Sequence, residues 1–353
     1  MHSGSTTLAH HNRKQPCQRP PRPTSPPGYA EETLAPRLEA IAIAFIVLEI
    51  VVVALRFATR IIYKTRWGAD DYLIPPALLF SLGMCVIAIV ETRIAGVGKH
   101  LAVLYVTNPQ AVVNWAKCGY AIECIYSVAV AFPKLSILAS YLRIFTTKAF
   151  RVSAYVLIVI VSLTAASGVI TSLASCRPFS ARWDPALFVS NCIDAPRFWA
   201  GLSVPNVATD VVMLLLPLPV VWRLHMDKRQ KVALSAVFLL GSIGIIASVI
   251  RLTVTSRVSV LTDGTWDSAD IATWSLVESG CYLIASCLPV LRPMYTGLIS
   301  RFTHISSRSY GPKSSGARTT GDEDESAFVR IEMDTLENGP SNRWSPQDKR
   351  QHV

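Results

Sequence analysis

The sequence predicts an all-α fold, a bundle of seven membrane-crossing helices, and three observations carry that prediction. Hydrophobic residues make up 51% of the chain, charged residues only 16%, and mean hydropathy is +0.36; an ordinary soluble domain carries about 25% charged residues. The apolar residues are gathered into runs, and the stretches 72–90, 152–175 and 232–250 contain no charged side chain at all. Each is close to the roughly 20 residues that carry a helix across a ~30 Å hydrocarbon core, and none keeps the polar face of a soluble helix. Basic residues collect beside these runs, as membrane topology demands. The net charge of +10 therefore speaks of orientation and not of nucleic acid.

Residues 1–37 are rich in Pro, Ser and His, show no cleavable signal pattern, and predict a disordered extracellular tail. The first apolar helix, about 38–59, must then also serve as the targeting signal. Further helices are predicted at about 72–91, 117–142, 152–175, 198–222, 232–253 and 271–291, which together make a membrane domain of 38–295. The loops after helices one, three and five carry ten Lys and Arg, among them Arg60, Lys64, Arg143, Lys148 and Lys228, against six in the opposite loops. That bias puts the first set in the cytoplasm and the amino terminus outside, in the plasma membrane or another cellular membrane. Residues 296–353 turn polar, with an acidic patch at Asp322, Glu323, Asp324 and Glu325, and predict a disordered cytoplasmic tail. Its Ser and Thr residues are open to modification. The segment 328–336 either docks a cytoplasmic protein partner or is simply solvated.

Ionisable groups inside a span are costly and face the bundle interior. Glu123 and Glu278 fall about 9 and 10 Å below one end of helices three and seven, and Arg251 lies at a similar level on helix six. Tyr126 follows Glu123 by three residues, and Trp274 precedes Glu278 by four, so each shares a face with its glutamate. Two readings follow. Either these groups line a water-accessible outer cavity for a small-molecule ligand, with Arg251 pairing one or both glutamates, or they form a structural charge pair that fixes helix packing. Asn206 and Asp210 form an i, i+4 pair on helix five among Pro205, Pro217 and Pro219. Interhelical hydrogen bonding and an ion or proton site are the alternatives there. Lys134 is too deep to meet Glu123 and must reach another carboxylate or snorkel toward the cytoplasmic interface.

Asp70 and Asp71 open helix two, where carboxylates cap free N–H groups; no second acidic cluster completes a metal site, so no metal is expected. Gly96-Val97-Gly98-Lys99-His100 reads as a tight turn, since no strand–helix unit follows to make a phosphate cradle. Cys176 and Cys192 share the fourth loop and are the first choice for a disulfide, with Cys118 to either as the alternative. No His-Glu-x-x-His or Gly-x-Ser-x-Gly signature is present, and no catalytic residue is assigned.

Taken in order, several of these signals resemble the fungal rhodopsin-domain integral membrane proteins. They include Trp67-Gly68-Ala69-Asp70-Asp71, Glu123 with Tyr126, Lys134-Leu135-Ser136, Cys176-Arg177-Pro178, Asn206 with Asp210, Ser248 with Arg251, and Cys287-Leu288-Pro289. The resemblance covers about 38–295. It implies a seven-spanning protein, either receptor-like or tied to secondary-metabolite clusters such as that for the mycotoxin satratoxin. The Cys-rich segment that some receptor-like members carry before helix one is not present in residues 1–37. A retinal Schiff base needs a lysine deep in helix seven, which has none, so neither photochemistry nor another cofactor is expected. The sequence thus predicts a non-enzymatic, receptor-like membrane protein associated with fungal secondary metabolism. A small-molecule transporter and an intramembrane biosynthetic enzyme are the alternatives.

Overall fold

The computed structural model describes residues 29, 31–183, 192–219, 228–257 and 260–308. Seven helices in it are long and apolar enough to cross a membrane. These are α1 (Ala35–Ile62), α2 (Ile74–Ile94), α3 (Pro109–Ile144), α4 (Lys148–Ala174), α5 (Ala195–Leu215), α6 (Lys228–Arg257) and α7 (Val260–Arg308). No strand occurs among the described residues beyond a lone bridge between Cys176 and Cys192. The chain divides into a compact unit 1–299, which holds the bundle, and a second unit 300–353, of which only the helical residues 300–308 are described. The greater part of both tails predicted from sequence, 1–28 and 309–353, lies outside the described residues.

The bundle inverts the pattern of a soluble protein. Large apolar side chains point outward on α1 and α4, among them Val47 at 59% exposure and Leu163 at 64%. Charged side chains lie inside: Glu49, Arg56, Lys134, Asp210, Arg251 and Glu278 are all buried. Only a solvent of lipid tails makes that arrangement favourable. The chain is a multi-pass membrane protein.

Several helices exceed the lengths predicted from sequence, and α3 and α7 do so most. α3 starts at Pro109, a residue suited to the first helical position because its missing N–H would find no partner there. Its 36 residues extend about 54 Å, so it projects beyond the hydrocarbon, and Trp115 in the projecting part packs against Leu101 and Leu104. α7 begins near residue 260, with a break at Asp263 where the backbone leaves helical angles. Asp263, Asp267 and Asp270 mask this start in the sequence, because they lie at the polar end of the helix and not within its apolar stretch.

That break organises one end of the bundle. Asp263 accepts from the Leu101 backbone N–H at 2.9 Å and bonds Nδ1 of His100. The His100 ring stacks between Tyr29 and Trp266, at 3.8 and 4.3 Å between centroids. The tight turn before it has φ +90° at Gly98, where a Cβ would lie 2.7 Å from the Ala35 nitrogen. Glycine is needed here both for the left-handed backbone and for the close approach to the start of α1.

At the opposite end, a left-handed Lys64 (φ 46°) turns the chain after α1, and a four-residue helix, Ala69–Tyr72, leads into α2. The Asp71 carboxylate accepts from the Gly68 N–H at 3.0 Å, the capping role expected of it. Pro75 and Pro76 then sit in the first turn of α2, where they cost no hydrogen bond.

Candidate functional site

The centre of the bundle holds a polar network built on helical spacing. Tyr126 and Lys134 lie two turns apart on α3, Asn206 and Asp210 one turn apart on α5, Ser248 and Arg251 on α6, and Glu278 and Tyr282 on α7. Each pair therefore projects from one face of its helix. Glu278 accepts from three donors: Arg251 Nε at 3.0 Å, the Tyr126 hydroxyl at 2.9 Å and Asn206 Nδ2 at 2.6 Å. Asn206 turns its oxygen to Lys134 Nζ at 2.7 Å. Lys134 in turn lies 2.5 Å from Asp210 Oδ1, a contact of charge and not of hydrogen-bond angle. Ser248 donates to the other Asp210 oxygen at 3.0 Å.

Two aromatic rings complete the network. Arg251 lies over Tyr126 at 4.5 Å and Lys134 over Tyr282 at 5.0 Å, within the reach of cation–π attraction. α6 comes close enough to α7 at this level that a Cβ on Gly244 would lie 2.9 Å from the Tyr282 ring. Two cations and two carboxylates sum to zero charge, which is what makes their burial tolerable.

A cavity of about 30 Å³ opens beside this network between α3, α4 and α5. Lys134, Asn206, Tyr126 and Arg251 form its polar wall, and Val130, Val161 and Leu202 face them. The volume is room for about two waters.

Of the two glutamates expected to offer Arg251 one or both partners, the structure brings one to it. Arg251 takes Glu278 alone. Glu123 pairs instead with Arg182, which the loop after α4 folds into the end of the bundle. Arg182 also donates to Ser175 Oγ at 2.7 Å and lies over the Tyr120 ring at 5.5 Å. A loop arginine was not a visible partner in the sequence, because nothing local signals that the loop turns inward. Cys176 and Cys192 are joined in a disulfide that ties this loop back, while Cys118 is a free thiol. Trp274 is half-buried on α7 and stands apart from the network. Lys134 reaches a carboxylate and does not snorkel.

A second charged cluster went unnoticed in the sequence, where Asp70 and Asp71 read as a cap and no more. Arg56 Nη2 lies 2.6 Å from Asp70 and 2.8 Å from Asp71, and its Nη1 donates to the Ser286 carbonyl at 2.6 Å. Arg60 Nη2 lies 3.0 Å from Asp70 and 3.1 Å from Asp71. Ser136 donates to the Asp70 carbonyl at 2.9 Å. The cluster thus ties α1 and the Ala69–Tyr72 turn to α3 and α7. The available signal was Arg56 and Arg60, one turn apart at the end of an apolar helix. Another buried acid, Glu49, accepts from Ser81 at 2.7 Å. No group of three or more His, Cys, Asp or Glu is poised to hold a metal among the described residues.

The model of the fungal rhodopsin domain matches residues 55–297, which takes in every residue of the central network. The chain belongs to this family. It is 35% identical over 268 residues to the polyenoic acids biosynthesis gene cluster protein Ba17b of Metarhizium anisopliae, a match covering 73% of each chain. It is 25% identical to the fugralins biosynthesis cluster protein 2 of Gibberella zeae, over 53% of this chain and 48% of that one. It is 24% identical to the receptor GIN3 of Arthrobotrys oligospora, over 50% of this chain and 43% of the receptor. The match therefore spans about half the length, or less, of each of the latter two. No solved structure is significantly similar.

Proposed function

We propose that this protein is a non-enzymatic, non-photochemical membrane receptor for a small molecule, working alongside fungal secondary metabolism. One observation carries the reading. The contacts Lys134–Asp210 and Arg251–Glu278, linked through Asn206, join α3, α5, α6 and α7 beside a small cavity. A ligand that competes for any member changes the balance among four helices at once, which is the differential contact a two-state switch needs. The names of relatives, two from biosynthesis clusters and one receptor, support the same setting. Absence of light chemistry is supported by the lack of any lysine in α7 and by the engagement of Lys134 with Asp210.

The Cys176–Cys192 disulfide favours an oxidising compartment for its end of the bundle, and the basic residues at the other end favour the cytoplasm. The amino terminus then lies outside and the carboxy-terminal tail, with any protein partner, inside.

Two measurements test the reading. Proteoliposomes holding the full chain should show no flux of the cluster's product, and deletion of the gene should change product titre without accumulation of an intermediate. Saturable flux would replace the receptor with a transporter. Accumulation of a single precursor would replace it with an enzyme.

A further inference from the structure

Arg251 is only 3% exposed, yet it spends Nε alone on Glu278. Its two terminal nitrogens meet no acceptor among the described residues, and the side chain lines the cavity. Four N–H donors in a planar fork thus face the cavity without a protein acceptor among the described residues, and an occupant can take them up.

The other cavity groups define what that occupant must offer. Thr164, Ser203 and Thr209 each donate their hydroxyl proton at 2.8 Å to a carbonyl of their own helix, and Ser127 does so at 3.4 Å. Their oxygens keep free lone pairs, and Lys134 and Asn206 add N–H donors to the same lining. The occupant must therefore accept from Arg251 on two atoms.

A carboxylate meets that condition, because its two oxygens match the guanidinium fork. An amide fails at the fork, where its N–H would face another donor. The volume agrees, because about 30 Å³ holds about two oxygen-sized positions. The residues around these positions, Val161 and Thr164 on α4 and Leu202 and Ser203 on α5, lie midway along their helices. At that depth α4 and α5 turn exposed apolar side chains such as Leu163 and Val204 to lipid.

We propose that the cavity seats the carboxyl head of a lipid-soluble monocarboxylic acid on Arg251, with its hydrocarbon body running out between α4 and α5. The proposal names the ligand class of the receptor reading and rests on that reading for its biological meaning. The binding itself is read without any signalling or flux, so the two fail separately.

The test uses the full chain in detergent micelles with cis-parinaric acid, a fluorescent fatty acid, and its methyl ester, which keeps the carbonyl and loses the charged pair of oxygens. The acid should bind saturably at one site and at least about tenfold tighter than the ester, a difference of about 1.4 kcal/mol. Arg251→Lys, which keeps the charge and loses the fork, should weaken the acid about tenfold. Ala165→Phe fills the apolar side without touching any charge, and it should abolish binding even if Arg251→Lys does not fold. Displacement by palmitate would point to a bilayer fatty acid as the natural source, and displacement by sorbate alone to a short free acid. Equal affinity for acid and ester, or binding indifferent to Ala165→Phe, would mean partition into the micelle and would overturn the proposal.

Discussion

The two charged clusters of this bundle each bury two cations and two carboxylates, and they differ in how far their hydrogen bonding is completed. Near one end, Arg56 and Arg60 meet Asp70 and Asp71, and every nitrogen of Arg56 has a protein partner. Midway along, Lys134 and Arg251 meet Asp210 and Glu278, but Arg251 leaves its two terminal nitrogens facing a cavity. The buried charges of each sum to zero, and the more exposed Arg143 also approaches Asp70, at 3.7 Å. The first is saturated by covalently anchored groups from α1, α3 and α7, so it acts as a clamp and has nothing to offer a ligand. The second is balanced in charge but short of acceptors, so its hydrogen bonding is finished only by something that can leave. Charge neutrality explains why both clusters can be buried, and acceptor count separates a fastener from a site.

Breaking the clamp should cost most. Arg56→Leu leaves two buried carboxylates to share Arg60 and strands the Ser286 carbonyl, and should destabilise the fold by about 3 kcal/mol or more, read as lost detergent-extractable protein and a large fall in Tm. In the centre, Lys134→Met should cost somewhat less, about 3 kcal/mol, because water in the adjoining cavity can reach the network. The double variant Lys134→Met with Asp210→Leu should recover most of that loss, since it removes the stranded charge along with its partner. A double variant no more stable than the single would show that the pair is held for more than mutual neutralisation. The smallest effect belongs to Glu123→Gln, which keeps a hydrogen-bond acceptor for Arg182 at a partly exposed position. Its cost should be about 1 kcal/mol in thermal unfolding, and it should leave parinaric acid binding unchanged. A loss of binding in this variant would extend the ligand site toward the disulfide loop and blur the contrast between the two clusters.

Much of the site was legible because charge within an apolar run is conspicuous. Lys134, Asp210, Arg251 and Glu278 stand out on that ground alone, and the four-residue step from Asn206 to Asp210 already places both on one face. Their partners were not legible. Glu123 and Arg251 lie at similar depths, yet depth does not say which way a helix face turns, and a loop arginine reached Glu123 first. Asp70 and Asp71 looked like an ordinary cap because Arg56 and Arg60 come into range only through the tight turn at Lys64. The stacking of His100 between Tyr29 and Trp266 joins segments far apart in the chain, and no periodicity announces such contacts. The early starts of α3 and α7 were hidden by Pro109 and by the aspartates at 263, 267 and 270, polar residues that lie at helix ends.

Taken by itself, the order of residues determined that this chain lives in lipid, crosses it seven times, and carries its ionisable groups inward. Those properties follow from the cost of exposing polar groups to hydrocarbon, and that cost is paid residue by residue along a run. Only the tertiary structure decided which charges neutralise each other and that Arg251 is left with donors to spare. Pairing depends on the rotation and depth of one helix against another, a relation between distant segments that no local pattern encodes.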